Sequence, residues 1–203
     1  MNQLAHISPI YTALLTVAAP LVAFLYQALV GKRDQSGIIS LLGIVCSFIF
    51  AALTWLTIWN HPVVSAQLTW FTIGASTFKV GILLNNLSVL MLLLVPTVAL
   101  PVHIYSRAYM KGDPGVHRYW MYLSLFCFAM LGLVIMDSLL LMYIFWELVG
   151  FASYLLIGFW FTRETAVQAN KKAFLVNRIG DLGFLIGLAI IFTQFKTLNL
   201  VDL

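Results

Sequence analysis

Six long apolar runs, each closed by a few polar residues, follow one another along this chain, at about 10–30, 38–59, 82–105, 119–136, 138–161 and 173–195. A helix needs roughly 20 apolar residues to cross a bilayer, and each run is near that length. The pattern predicts an all-α integral membrane fold over 1–203, a single membrane domain with about six transmembrane helices. Asp137 and Ser138 leave room only for a very tight turn between the fourth and fifth spans.

One stretch breaks the helical pattern. Between spans two and three, Leu68, Trp70 and Thr72 alternate with residues facing the other way. Gly74, Ala75 and Ser76 follow, and then Phe78, Val80 and Ile82 alternate again. Period-two alternation around small residues predicts a short periplasmic β-hairpin on the membrane surface, with an irregular loop as the alternative.

Composition sharpens the class. Only 9% of residues are charged, against about 25% in a soluble domain. The net charge of +4 is spread over short loops, and no basic patch interleaved with aromatics offers a surface for nucleic acid. Eight of the 11 Lys and Arg residues fall on one side of the six-span map: Lys32, Arg33, Arg107, Lys111, Arg118, Arg163, Lys171 and Lys172. Lys79 and Lys196 fall on the other side, and Arg178 lies inside span six. The positive-inside rule makes the first side cytoplasmic and puts the N-terminus outside, in an inner (cytoplasmic) membrane crossed several times. Met1–His6 lack the positive start of a signal peptide, so the first span is expected to stay in the mature protein. Cys46 and Cys127 are far apart in apolar runs and read as small buried hydrophobes rather than a disulfide or metal pair. There is no Gly-rich phosphate loop and no ligand set for haem or an iron–sulfur cluster.

The chemistry lies in the polar groups within the spans. Glu147 stands in the middle of span five, where a carboxylate costs roughly 2.5–3.5 kcal/mol on insertion scales. Such a group must face protein or a water path, which makes it a candidate for moving protons. Leu140, Tyr143, Ile144, Gly150, Phe151 and Tyr154 share its helix face. A carboxyl balanced between an apolar surround and a neighbouring cation can change protonation when the cation moves. The alternative is a glutamate that only pins two helices together. Span six carries Asn177, Arg178 and Asp181, with Arg178 and Asp181 at i and i+3, where they can pair. Lys171 and Lys172 lie about two turns earlier, near the cytoplasmic entrance. His103, near the cytoplasmic end of span three, is either a proton shuttle or a hydrogen-bonding residue. Gly183 and Gly187 have the spacing of a close helix contact, and Trp55, Trp59, Trp70, Trp120 and Trp160 are placed for aromatic belts.

Three segments together resemble a known family. They are His103-Ile-Tyr-Ser-Arg-Ala-Tyr-Met110, Asp137 to Gly158 with Phe145-Trp146-Glu147 at its centre, and Lys171-Lys-Ala-Phe-Leu-Val-Asn-Arg-Ile-Gly-Asp181. The chain resembles the N-terminal part of the largest antiporter-like membrane subunit, chain L, of the proton-pumping NADH:quinone oxidoreductase, respiratory complex I. The likeness is specific from about Ile82 onward and extends to spans one and two only in character. Asn86 departs from it, since the family more often has Asp before Leu87-Ser88.

The resemblance implies roles. Glu147 would match the family's membrane glutamate, which pairs with a lysine on a later broken helix. Arg178 and Asp181 would modulate that pair, and His103, Lys171 and Lys172 would serve the cytoplasmic side. Family members run to several hundred residues, so the lysine-bearing helices and a long lateral helix would lie beyond Leu203. This chain would hold no cofactor and would form part of a proton half-channel. NADH, FMN, iron–sulfur clusters and quinone would be handled by partner subunits, and its own contacts would be other membrane subunits and the lipid bilayer. Two alternatives stay open: a subunit of a multi-subunit cation/proton antiporter or related ion-coupled complex, and a structural assembly subunit without transport.

Overall fold

A computed structural model describes residues 8–30, 36–73 and 76–203. Among them are six helices long and apolar enough to cross a membrane: α1 (Pro9–Leu29), α2 (Ile38–Ile58), α3 (Asn86–Tyr109), α4 (Val116–Ile135), α5 (Leu139–Ile157) and α6 (Glu164–Phe195). A two-stranded antiparallel hairpin, β1 (Val64–Ile73) and β2 (Ser76–Leu84), separates α2 from α3. The predicted all-α membrane fold with one small hairpin is the observed one. Three parts of the sequence reading, namely the N-terminus Met1–His6, the cations Lys32 and Arg33, and the hairpin tip Gly74-Ala75, lie outside the described residues.

The boundaries move where local chemistry overrides hydropathy. Span three was expected from Ile82, but the strand alternation continues to Leu84 and the helix begins only at Asn86. Asn85 sets that start. Its side chain accepts from the Ser88 backbone N–H at 2.8 Å, and the Ser88 hydroxyl accepts from the Asn85 N–H at 2.8 Å, forming a capping box. Asn86, the departure from the family pattern, accepts from the Asn60 backbone N–H at 3.1 Å and ties the end of α2 to the start of α3. Span six is longer than expected, because α6 runs 32 residues from Glu164. Lys171 and Lys172 therefore stand inside that helix rather than in a loop.

α1 and α2 are joined by small and hydroxyl side chains, as suits helices in an apolar medium. Thr54 donates to the Thr12 hydroxyl at 2.8 Å, and Ser47 donates to the Thr16 carbonyl at 2.7 Å. A Cβ on Gly43 would sit 2.9 Å from the Ala23 Cβ, so glycine is what lets the two backbones approach. α4 is the central helix, packing on α1, α2, α3 and α5. Trp120 on α4 is 1% exposed, so it is a core residue and not part of an interfacial belt. Its ring lies directly under Gly37, whose φ of +67° and lack of a Cβ both suit glycine. Cys127 is buried as expected, whereas Cys46 faces outward from α2.

The hairpin does not float on the surface. β1 pairs with β2 from Val64↔Leu84 to Ile73↔Ser76, with a bulge between Thr69 and Phe71. The three-residue α4–α5 connection, expected as a tight turn, is instead an extended bridge lying between β2 and the chain after α6. Asp137 N–H donates to the Gly81 carbonyl at 3.2 Å, and its own carbonyl accepts from Leu200 N–H at 2.8 Å. Leu139 N–H donates to the Leu198 carbonyl at 2.8 Å, and Phe78 stacks on Phe192 with centroids 5.7 Å apart. Lys79 pairs with Asp202 at 3.3 Å. The hairpin, the α4–α5 connection and the C-terminal residues thus share one end of the bundle. Arg107, Lys111, Arg118 and Arg163 lie at the other, where Arg118 covers the rings of Phe159 and Phe161 and Arg163 covers Trp160.

The Asp137 side chain is the costliest feature of the hairpin end. The residue is 0% exposed, and neither carboxylate oxygen has a hydrogen-bond partner among the described residues. Burial pushes its carboxyl above the usual carboxylate range, against the weaker pull of Gln67, the Gly81 backbone and Lys79. A carboxyl raised in the folded state favours folding when protonated. Its contribution is full below the ordinary carboxylate pKa and is lost as pH rises through the raised value. Asp137→Asn, neutral at every pH, should therefore melt higher than the wild type at neutral pH. The difference should shrink as the pH falls toward 4, which a thermal-unfolding series across pH measures.

Candidate functional site

α5 and α6 meet along an aromatic seam. Tyr143 packs edge-on against Phe184 at 5.5 Å, and Tyr154 lies against Phe174 at 5.2 Å. These pairs step in opposite directions along the two helices, and that antiparallel register carries Trp146 and Glu147 to the level of Arg178 and Asp181. The Trp146 indole N–H donates to Asp181 Oδ1 at 2.8 Å. Glu147 and Arg178 form an ion pair between the helices. The same Arg178 Nη1 lies 3.5 Å from Asp181 Oδ2, and its guanidinium sits 4.9 Å over the Phe174 ring.

The expected Arg178–Asp181 pairing is present, but Arg178 also bridges to Glu147. Sequence reading did not anticipate that bridge, nor the indole donated to Asp181. Both depend on how the two helices are rotated against each other. The one available signal was the Trp146-Glu147 pair opposite the Arg178-to-Asp181 turn, and it becomes readable only once the seam fixes the register.

Burial within the cluster is graded. The side chains of Arg178 and Glu147 are 35% and 23% exposed, and that of Asp181 is 9% exposed. Beside them a cleft of about 520 Å³ opens between α4, α5 and α6. Its polar lining is Trp146, Ser153, Asn177 and Asp181, and Gly150 and Gly180 form part of its wall. Nothing lies within 4 Å of where a Cβ would stand on Gly150, Gly180, Gly183 or Gly187. The close helix contact expected at Gly183 and Gly187 is therefore not made among the described residues.

The other candidate residues lie elsewhere. His103 is 1% exposed in the α2–α3–α4 interface. Its Nδ1 lies 2.8 Å from the Ala99 carbonyl and its Nε2 lies 3.1 Å from the Ser40 hydroxyl. Lys171 and Lys172 are exposed on α6 and enter no ion pair among the described residues. No group of three or more His, Cys, Asp or Glu residues that could hold a metal occurs among the described residues. The chemistry the cluster can perform is charge exchange: one guanidinium shared by two carboxylates can favour either, and protonation of one releases it to the other.

Residues 70–120 match the family described as the N-terminus of chain 5 of NADH-ubiquinone oxidoreductase (complex I), and residues 136–203 match the transmembrane family of NADH:quinone oxidoreductase and Mrp antiporters. The second match contains Glu147, Arg178 and Asp181. The chain belongs to the antiporter-like chain 5, or chain L, family of complex I. It is 49% identical over 137 residues to NAD(P)H-quinone oxidoreductase chain 5 of Synechocystis, covering 68% of this chain and 20% of that protein. It is 37% identical over 187 residues to NADH-quinone oxidoreductase subunit L of Neisseria meningitidis, covering 90% of this chain and 28% of that one. The chain thus spans well under half the length of these relatives. In fold it matches a chain of an archaeal membrane-bound sulfane sulfur reductase, a respiratory membrane complex, with a TM-score of 0.78 at 17% identity over 95% of this chain and 39% of that one.

The shared guanidinium makes the cluster non-additive. In a double-mutant cycle on thermal stability, Glu147→Gln and Arg178→Met should show a coupling energy of roughly 0.5–3 kcal/mol. Arg178→Met leaves both Glu147 and Asp181 without their cation, whereas in Glu147→Gln Arg178 keeps Asp181, and the double change leaves Asp181 alone without it. Strictly additive effects would mean that the two side chains do not interact.

Proposed function

We propose that this chain forms part of a proton half-channel in a proton-translocating NADH:quinone oxidoreductase, with Glu147 as the group whose protonation switches. The observation that carries the reading is Arg178 standing between Glu147 and Asp181. When a second cation approaches Glu147, Arg178 is free to settle on Asp181. When that cation leaves, Glu147 takes up either the guanidinium or a proton. The cleft between α4, α5 and α6 is where a further helix carrying such a cation would seat, because the glycines there leave its wall open to a close neighbour. His103, Lys171 and Lys172 serve the cation-rich end, at which we place the cytoplasm. NADH oxidation, quinone reduction and their cofactors belong to partner subunits.

Membership in a family shared with Mrp antiporters keeps a cation/proton antiporter subunit as the second reading. The two differ in what drives the proton, so the test couples the proton to the electron. Glu147→Gln is nearly isosteric and should leave the complex assembled and NADH oxidation by its peripheral part intact. In proteoliposomes, acidification driven by NADH–quinone turnover should fall strongly. Wild-type pumping by the fully assembled variant would reduce Glu147 to a structural residue.

The orientation has its own test. Single cysteines at Lys111 and Arg163 should react with an impermeant thiol reagent from the cytoplasmic side, and one at Lys79 from the opposite side. Labelling of Lys79 and Lys111 from the same side would contradict the six-span topology.

A further inference from the structure

A second polar cluster lies away from Glu147, where α1 to α4 converge near the cation-rich end. The Ser124 and Ser40 hydroxyls are 2.7 Å apart, and Ser40 reaches His103 Nε2 at 3.1 Å. The Ala99 carbonyl can only accept, so Nδ1 of His103 carries a proton. In a neutral ring Nε2 then accepts from Ser40, which accepts from Ser124. In a protonated ring Nε2 donates instead and both hydroxyls turn round. The three side chains therefore form a chain of hydrogen bonds that can run in either direction.

Two further buried residues near this level have side-chain polar atoms without hydrogen-bond partners among the described residues. Gln27 on α1 is 3% exposed, and both its amide oxygen and nitrogen lack a hydrogen bond among the described residues. The α1–α2 contacts step from Thr12–Thr54 through Thr16–Ser47 to Ala23–Gly43. One turn further brings Gln27 level with Ser40, which is 2% exposed. The Trp120 indole nitrogen is likewise buried and without a hydrogen-bond partner among the described residues. The Trp120 ring stacks near His103 with centroids 6.3 Å apart, and its Cε2, bonded to that nitrogen, lies directly under Gly37 at the start of α2. The Gln27 amide and the indole N–H thus bring acceptor and donor capacity to the level of a hydroxyl–imidazole chain. A buried amide left with neither of its hydrogen bonds is costly, and ordered water is the usual remedy.

We propose that α1, α2, α3 and α4 enclose a binding site for ordered internal water, held by Gln27, Trp120 and Ser40 against His103. The ligand is water, and the site requires no role for Glu147. It gives the His103 imidazole a hydrogen-bonded connection to the loop end that its 1% exposure would otherwise deny.

Hydroxyl-radical footprinting by X-ray radiolysis tests this in the intact membrane complex, because bound water generates radicals beside the residues it touches. Cys127, 2% exposed in the apolar part of the same helix, is the internal dry control and is intrinsically more reactive than Trp or His. Trp120 and His103 should be oxidised several-fold faster than Cys127. In Gln27→Leu their oxidation should fall to the level of Cys127, while an exposed residue such as Trp70 keeps its rate. Trp120 and His103 as inert as Cys127 in the wild type would show a dry cluster and overturn the proposal, whether or not the variant assembles. Unchanged oxidation in an assembled Gln27→Leu complex would overturn it as well.

Discussion

Two carboxylates, Glu147 and Asp181, face each other across α5 and α6, and the guanidinium of Arg178 is shared between them. In a membrane that arrangement is a constraint before it is a mechanism. Each ion taken out of water carries a penalty of several kcal/mol, which only close opposite charge and full hydrogen bonding offset. One cation for two anions leaves the cluster a charge short. Something else must meet the excess: a proton on one carboxyl, or a second cation from outside the cluster. The Trp146 indole already helps hold Asp181 as an acceptor. Glu147 has fewer polar partners than Asp181 and is more exposed, which is why the proposed switch is assigned to it.

The scaffold is divided to match. α1 to α4 pack through hydroxyl ladders, a glycine-mediated approach and the buried Trp120, and they carry most of the buried side chains. α5 and α6 add only Leu141, Ala152, Asp181 and Leu188 to the buried set. The charge cluster thus lies between a well-packed block and a pair of helices with broad apolar faces still uncovered. The α4–α5 connection is clamped by backbone hydrogen bonds to β2 on one side and to residues 198–200 on the other. That clamp holds the start of α5 at Leu139, on the same helix as Glu147.

Much of this was legible in the chain. The six spans follow from apolar run length, the hairpin from alternation around Gly74, and Glu147 from the cost of a carboxylate in an apolar helix. The pairing of Arg178 with Asp181 follows from helical spacing. What could not be read is rotation. α5 is apolar on nearly every face, so periodicity does not say whether Glu147 turns toward α6, and the Glu147–Arg178 bridge had no signature of its own. Trp120 looked like a belt residue because its sequence position is near a helix end, yet the bend at Gly37 folds the start of α2 over it. Asp137 looked like a turn residue because two short polar side chains between apolar runs usually are. Its burial comes from partners distant in sequence, Gly81 and Leu200.

The central claim is that Glu147 changes protonation while Arg178 and Asp181 remain its electrostatic partners. Infrared difference spectroscopy on the intact complex, comparing resting and NADH-driven states, observes that directly. The account predicts a protonated-carboxyl stretch that appears or disappears with turnover, shifts on solvent deuteration and is missing in Glu147→Gln. A difference spectrum without a Glu147-dependent carboxyl band, in a complex that is turning over and pumping, would contradict it.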